Sequence, residues 1–277
     1  MRSALRVTLW SGFQAFFALT IHAANLDVDN ANASAYAGGW DNTFPVYSLD
    51  GSVGSGNGFG GWQLTANPNA AIRIESVSSL GGGNTLLDTA GKSFRLSGGY
   101  YTTDGGATYQ QAYANAVRWI DPSGLDVGQS FTFQMAVNWR NGAKGVNLYD
   151  TAGNKVFNFN IGGDDYVVNN TLLGNGSIGN AYSNNTIFDL RFDQTSLTGG
   201  NWTITRSGGV SDLDTGTYSG TLRRFGFYAG GSGTNGNNDA LFFNSLAVVP
   251  EPSVGSLFLG GLGLLALRRR FFSSASS

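Results

Sequence analysis

Residues 155–161 read Lys155-Val156-Phe157-Asn158-Phe159-Asn160-Ile161, with Phe157, Phe159 and Ile161 set against Asn158 and Asn160 at every second position. A period of two marks an extended strand with one buried and one wetted face, because successive side chains of a strand point to opposite sides. The same alternation runs through Phe131-Thr132-Phe133-Gln134-Met135 and Phe188-Asp189-Leu190-Arg191-Phe192. Shorter β-branched and aromatic runs predict further strands at 71–77, 93–97, 116–120, 130–138, 145–149, 166–169, 186–192, 202–206, 224–228 and 241–249. Between them, Asp150-Thr151-Ala152-Gly153-Asn154 and Ser207-Gly208-Gly209 read as hairpin turns, since Gly and Asn tolerate the positive φ that tight turns need. No segment has the 3.6-residue apolar period of an amphipathic helix. The pattern predicts an all-β chain, a jelly-roll or lectin-like β-sandwich. The alternative, a right-handed β-helix, calls for a fixed repeat period that the sequence does not show.

The composition agrees. Gly is abundant (42 of 277 residues), charged residues make up 12% and Pro numbers five, the balance of an all-β chain with many turns. A hydrophobic share of 41% with 13% aromatics suffices to bury a core, and the length suits one large domain. With no Cys there is neither a disulfide framework nor a cysteine-based metal site or nucleophile. The one histidine, His22, lies in a segment read below as a removed leader, so the remaining chain has no His for a Ser-His-Asp triad, a His-ligated metal or a His general base. Arg2, Arg6 and Arg268 to Arg270 fall outside the body from Ala24 to Val249, which therefore carries eleven basic against seventeen acidic residues, a net charge of −6. Such a body offers no basic patch to displace counterions from phosphates, and nucleic acid is not an expected partner.

The two ends carry the most specific signals. Arg2 and Arg6 precede an apolar stretch from Val7 to Ile21, and Ile21-His22-Ala23 offers a cleavage point before Ala24, so residues 1–23 read as a secretory signal peptide handled by the translocon. At the other end, Val249-Pro250-Glu251-Pro252 is followed by an apolar Gly- and Leu-rich run from Val254 to Leu267 and then by Arg268, Arg269 and Arg270. Proline on both sides of Glu251 disfavours helix and sheet pairing and leaves an extended segment that a protease can grip. The arginine cluster is expected to stay cytoplasmic, which places everything before the apolar run outside. Its fourteen residues span about 21 Å as a helix at ~1.5 Å each, short of a ~30 Å hydrocarbon core, and snorkelling arginines with Phe271 and Phe272 would extend it.

This three-part tail, residues 249–277, resembles the PEP-CTERM sorting signal of Gram-negative bacteria. The resemblance implies processing by exosortase, an integral-membrane cysteine transpeptidase-like enzyme, and a protein anchored transiently in the inner membrane before reaching the cell surface or the extracellular space. It also implies a role in an exopolysaccharide or biofilm matrix. Within the body, Gly128-Gln129-Ser130-Phe131-Thr132-Phe133 and Asp239-Ala240-Leu241-Phe242-Phe243-Asn244 are similar to segments of jelly-roll domains common in such proteins.

The body, residues 24–248, has few candidates for chemistry. Gly56-Asn57-Gly58-Phe59-Gly60-Gly61 satisfies GxGxxG, but Trp62-Gln63-Leu64 reads as extended, and a pyrophosphate needs a helix N-terminus there. Calcium takes six to eight hard oxygens, and Asp164-Asp165, Asp212-x-Asp214-x-Gly216 and above all Asn235, Asn237 and Asp239 are candidates, although turn-forming Asp and Asn explain such clusters equally well. For carbohydrate, stacking aromatics are needed beside amides and carboxylates. Trp40, Trp62, Trp119, Trp139 and Trp202 are available, although most Trp in a sandwich are core, and the segment bearing Tyr100, Tyr101, Tyr109 and Tyr113 reads as a loop too polar for a core. A glycosidase pair would have to recruit aspartates such as Asp189 and Asp193, because Glu75 is the one glutamate outside the tail. No catalytic residue is assigned, and no cofactor is implied apart from the candidate calcium. The expected protein is a non-catalytic matrix or carbohydrate-associated sandwich. The alternatives are a polysaccharide-active enzyme using Asp carboxylates and a self-associating structural protein built on Gly- and Asn-rich strands of weakly specified register.

Overall fold

The computed structural model describes residues 27–250 except 38, 41–46, 49–58, 81–82, 103–104, 106–107, 171–173 and 232–238. These residues belong to one compact unit, Ala24–Glu251. The predicted signal peptide, Glu251, Pro252, the apolar run and Arg268 to Arg270 lie outside the described residues, as do Asn235 and Asn237. Among the described residues no helix is long and apolar enough to cross a membrane.

The chain is all-β, in two eight-stranded sheets whose apolar faces meet in one core. The first sheet contains β1 (Asp27–Asp29), β4 (Ala70–Glu75), β5 (Ser93–Gly98), β9 (Gln129–Val137), β14 (Ile187–Ser196), β15 (Gly199–Ser207), β16 (Asp212–Ser219) and β18 (Ala240–Pro250). Its order is β16-β15-β14-β9-β18-β5-β4, and β1 pairs with β18. The second sheet contains β2 (Tyr47–Ser48), β3 (Gln63–Ala66), β8 (Tyr113–Trp119), β10 (Ala143–Asp150), β11 (Lys155–Asn160), β12 (Val167–Asn170), β13 (Gly174–Ser177) and β17 (Leu222–Gly230), in the order β13-β12-β11-β10-β17-β8-β3-β2. A two-stranded ribbon, β6 (Tyr100–Thr102) and β7 (Tyr109–Gln111), stands apart.

The alternation read in the sequence fixes which face is inside. Phe131, Phe133 and Met135 of β9, Phe188, Leu190 and Phe192 of β14, and Phe157 and Phe159 of β11 are all buried in the common core. Aromatic rings bridge the layers: Phe227 of β17 stacks on Phe243 of β18 at 3.7 Å with 13° between planes. Phe133 meets Phe227 edge to face at 5.2 Å. The 150–154 turn forms as expected, with Asp150 accepting from the Asn154 amide at 2.8 Å and Gly153 at φ +86°.

Trp40, Trp62 and Trp202 are core residues, as expected of most tryptophans in a sandwich, their flat apolar rings filling the space between the sheets. Three expectations are corrected. Val249 and Pro250, expected to be kept out of sheet pairing by the prolines, end β18 opposite Ser130 and Gln129, where the strand needs no further amide donor from the proline. Asp212 to Gly216, considered as a calcium loop, is the start of strand β16. The Tyr100–Tyr113 segment, expected as a loop, is the β6–β7 ribbon followed by the first residue of β8.

One charged cluster is wholly internal. Arg118 points inward from β8 and pairs with Asp29 of β1, neither side chain being exposed. Tyr36 also donates to the Asp29 carboxylate, and Trp62 donates to the Tyr36 hydroxyl at 2.8 Å. The Arg118 guanidinium lies 4.9 Å from the Phe59 ring and 5.0 Å from Trp62, so aromatic faces replace part of the hydration it has lost. Phe59 is thus a core contact, and β3 follows it where a nucleotide fingerprint would require a helix.

Candidate functional site

Each strand of the second sheet that turns Phe, Leu, Val or Ala inward presents its alternate residues on the opposite face. Because β11, β10, β17 and β8 are neighbours, cross-strand register sorts those residues into rows. One row is Lys155–Tyr149–Arg224–Trp119, the next includes Asn158–Asn147–Gly226–Val117, and the next Asn160–Gly145–Tyr228–Asn115. Apart from exposed Lys155 and the buried glycines, these residues are half-buried.

Two β-bulges flank Tyr149. Val156 is the extra residue on β11, where Leu148 pairs with Phe157 and Tyr149 with Lys155. Arg223 is the extra residue on β17, where Tyr149 pairs with Arg224 and Asp150 with Leu222. Bulges re-aim side chains, and here both arginines meet aromatic rings. Arg224 lies 4.3 Å from the Tyr149 ring and 5.3 Å from Trp119, and Arg223 lies 4.5 Å from Trp119.

Further along, Tyr228 stands opposite Gly145. Asn158 donates to its hydroxyl at 2.9 Å, and that hydroxyl donates to Asn160 Oδ1 at 3.2 Å. Asn158 also donates to Asn147 Oδ1 at 3.0 Å. Burial pushes the Tyr228 phenol up to about 12, with Asn158 pulling the other way and Tyr149 adding to the rise, so it is a neutral hydrogen-bonding group at physiological pH. Tyr113 opposes Gly230 in the same manner. Aromatic rings opposite glycines, amides with spare hydrogen-bonding capacity and stacked guanidinium groups together form a surface that can hold a polyhydroxylated chain.

Of the tyrosines named from sequence, Tyr113 joins this face. Tyr100, Tyr101 and Tyr109 sit on the β6–β7 ribbon, where Tyr100 and Tyr109 are 6.2 Å apart and Tyr109 is exposed. Trp119 is on the face itself, and Trp139 is 52% exposed after β9. Sequence reasoning missed Tyr149, Tyr228, Arg224 and the asparagines. The wet positions of the 155–161 alternation were the available signal for Asn158 and Asn160.

The first sheet's outer face is divided. Val77 and Leu87, from the segment between β4 and β5, pack on Ala136, Ile187, Ala240 and Phe242 and cover one half. The other half is a polar groove of about 430 Å³ lined by Thr132, Gln134, Asp189, Arg191, Thr203, Thr205 and Ser245. Asp189 accepts from Gln134 at 2.6 Å, and Asp193 pairs with Arg191 at 2.6 Å. Asp189 and Asp193 are four residues apart on one strand, so their Cα atoms stand about 13 Å apart at ~3.3 Å per residue. A glycosidase needs its two carboxyl groups roughly 5 to 9.5 Å apart. Glu75 is engaged elsewhere, by Arg95 at 2.8 Å and Arg73 at 3.4 Å; burial raises its pKa, but these partners and Ser79 outweigh burial and hold it below the usual range. A depression of about 630 Å³ beside β4 is lined by Tyr36 and Trp40, which face the core, and by the Arg73–Glu75 pair.

The candidate calcium ligands divide likewise. Asp212 and Asp214 both engage Arg206, whose side chain is 1% exposed. Asp239 is buried and accepts from Asn141 at 3.1 Å, with its cluster partners Asn235 and Asn237 outside the described residues. Asp164 and Asp165 are exposed. Among the described residues no group of three acidic or His side chains converges on a metal position.

No family model matches the chain, and no curated protein does. Among solved structures it is similar to a sialidase, with a TM-score of 0.47 and 9% identity over 82% of this chain, and it spans 19% of that protein. It is similar to an endo-β-1,4-glucuronan lyase from the fungus Trichoderma reesei, with a TM-score of 0.43 and 10% identity over 82% of this chain and 96% of that one. A third similar structure comes from work on endo-acting O-glycanases of the human gut microbiota, with a TM-score of 0.43 and 9% identity over 82% of this chain and the whole of that one.

Proposed function

We propose that this is an exported, envelope-associated jelly-roll or lectin-like sandwich that binds an extracellular polysaccharide without cleaving it. The observation that carries the binding is Tyr228, opposite Gly145 and hydrogen-bonded between Asn158 and Asn160. A neutral phenol beside amide groups, two rows along the same face from Trp119 and Tyr149, supplies both a stacking surface and partners for sugar hydroxyls. The test is retention of the full chain, solubilised in detergent, on immobilised glycans. Tyr228→Ala and Asn158→Ala should each weaken retention at least tenfold with the thermal transition preserved; retention unchanged in both variants rejects this face.

Export and sorting rest on the sequence of the two ends. Arg2 and Arg6 before an apolar run support a signal peptide, and Val249 to Pro252 followed by Val254 to Leu267 and Arg268 to Arg270 supports processing by exosortase. Intact mass and cell fractionation, with and without exosortase, test this. Exosortase-dependent loss of both ends is expected, and an intact membrane-held C-terminus in both strains overturns it.

The polar groove on the first sheet favours a second reading, a polysaccharide-active enzyme using Asp189 or Asp193. Ser245 lines that groove with φ at +56°, a left-handed conformation costing roughly 1–3 kcal/mol, and such strain clusters at functional sites. Release of new chain ends from a polysaccharide, abolished by Asp189→Asn, would establish it.

A further inference from the structure

We infer that the polysaccharide bound on the second sheet is anionic, a uronate-type chain whose carboxylates are received by Arg224, with Arg223 and Lys155 beside it. This rests on the glycan-binding reading above and names the class of glycan.

The charge inventory leads there. The body as a whole is acidic, yet the Lys155–Tyr149–Arg224–Trp119 row holds no carboxylate, and among the described residues none of Lys155, Arg223 and Arg224 makes an ion pair. Arg73, Arg95, Arg118, Arg191 and Arg206 each have an acidic partner within 4 Å, and Arg140, which makes no ion pair among the described residues, donates to the Asn180 carbonyl at 2.7 Å. A half-buried guanidinium lying near two rings has lost part of its hydration, and its planar fork of N–H donors matches the two oxygens of a carboxylate. Arg223 donates only a long bond, 3.4 Å, to the Thr151 carbonyl.

The row crosses four adjacent strands, about 14 Å at ~4.8 Å per step, with cations at Lys155 and Arg224 interleaved with rings at Tyr149 and Trp119. A chain with a carboxylate on each sugar could meet both cations while its rings lie on the aromatics. A neutral chain would leave the guanidinium groups unpaired, and a bare polyanion without sugar rings would leave the aromatics unused.

The experiment compares one backbone in two charge states. The full chain is titrated with polygalacturonate and with the same polymer fully methyl-esterified, using a neutral β-glucan as a third probe. Polygalacturonate should bind at least about tenfold tighter than its ester, a preference that weakens with added salt. Arg224→Gln should remove most of it, and Arg224→Lys should restore only part, because the ammonium keeps the charge but loses the planar stack. Arg73→Gln, on the edge of the other sheet, should change nothing. Equal binding of both forms overturns the anionic preference while leaving glycan binding intact; binding of none of the three polymers overturns both.

Discussion

Tyr228 and Gly145 stand directly opposite each other on β17 and β10, and a Cβ placed at 145 would come within 2.7 Å of the Tyr228 hydroxyl and nearer still to the carbonyl oxygen of Phe159. The phenol is therefore held by the absence of a side chain as much as by its two asparagines. Gly145→Ala must push the tyrosine or the β11 backbone aside, and overpacking of this kind costs roughly 1–3 kcal/mol. Chemical denaturation measures the cost. Glycan retention should fall with it even where the fold survives, because the displaced ring belongs to the proposed binding face.

Tyr228→Phe removes one hydroxyl and keeps the ring. It should cost about 1 kcal/mol, the usual net worth of a hydrogen bond, and weaken sugar binding less than Tyr228→Ala. Equal losses of affinity in the two variants would mean that the hydroxyl, and not the ring, holds the sugar.

The buried Asp29–Arg118 pair ties the first strand to the second sheet. Burial lifts Asp29 above the ordinary carboxylate range even though Arg118 and Tyr36 pull it down, so its charge is carried at a cost. Asp29→Ala leaves a guanidinium without its counter-ion in the core and should destabilise by about 3–5 kcal/mol. Combining it with Arg118→Met should recover a large part of that loss, a non-additivity that a double-mutant cycle by urea titration reads directly.

Lys144 is buried, its ammonium donating to the carbonyls of Trp139, at 3.0 Å, and Asn141. Burial brings its pKa down to about 8, against the pull of Asp239. The unfolded chain keeps that proton up to about pH 10.4, so between those values the native state binds fewer protons and stability at this site rises with pH. Wild type compared with Lys144→Met should therefore gain, by up to about 3 kcal/mol, from pH 8 to 10.4. A pH-independent difference would mean that the native ammonium stays charged throughout.

Arg206 takes the carboxylates that the sequence offered to calcium. Asp212→Asn with Asp214→Asn should destabilise by about 1–3 kcal/mol, leaving a buried guanidinium with no counter-charge beside it and the Ile178 carbonyl as an acceptor at 2.8 Å. The loss measured by thermal melting should be the same in chelator and in millimolar calcium. A loss seen only with calcium would restore the metal reading for these two residues.

The strands with large apolar residues at every second position were legible from sequence alone: 131–135, 156–160 and 188–192 all lie in observed strands with the expected side inward, and Ile161, just past the end of its strand, is buried too. Strand β16 was not, because Asp, Thr and Gly replace the apolar set where Gly216 must leave room for the Trp202 ring, and an edge strand with one thinly covered face has little pattern to show. The tryptophans are ambiguous one by one, because a ring suited to stacking on a sugar is equally suited to a core, and the core expected for most of them holds Trp40, Trp62 and Trp202. The proposed binding face was invisible for a different reason. Its residues come from 113–119, 143–160 and 222–230, and only the cross-strand order brings Arg224 between Tyr149 and Trp119. Local periodicity carries the facing of each side chain; it carries nothing of which strand lies next to which.

Strand β18 lies in the interior of its sheet, pairing with β9 on one side and with β5 and then β1 on the other. It is also the last of the described strands in chain order, so β5, β4 and β1 have no sheet to join until residues 240–250 have emerged. Closure waits on contacts that span most of the chain, and such long loops form slowly. A polypeptide whose keystone is made last cannot close its core until nearly the whole of it has been synthesised.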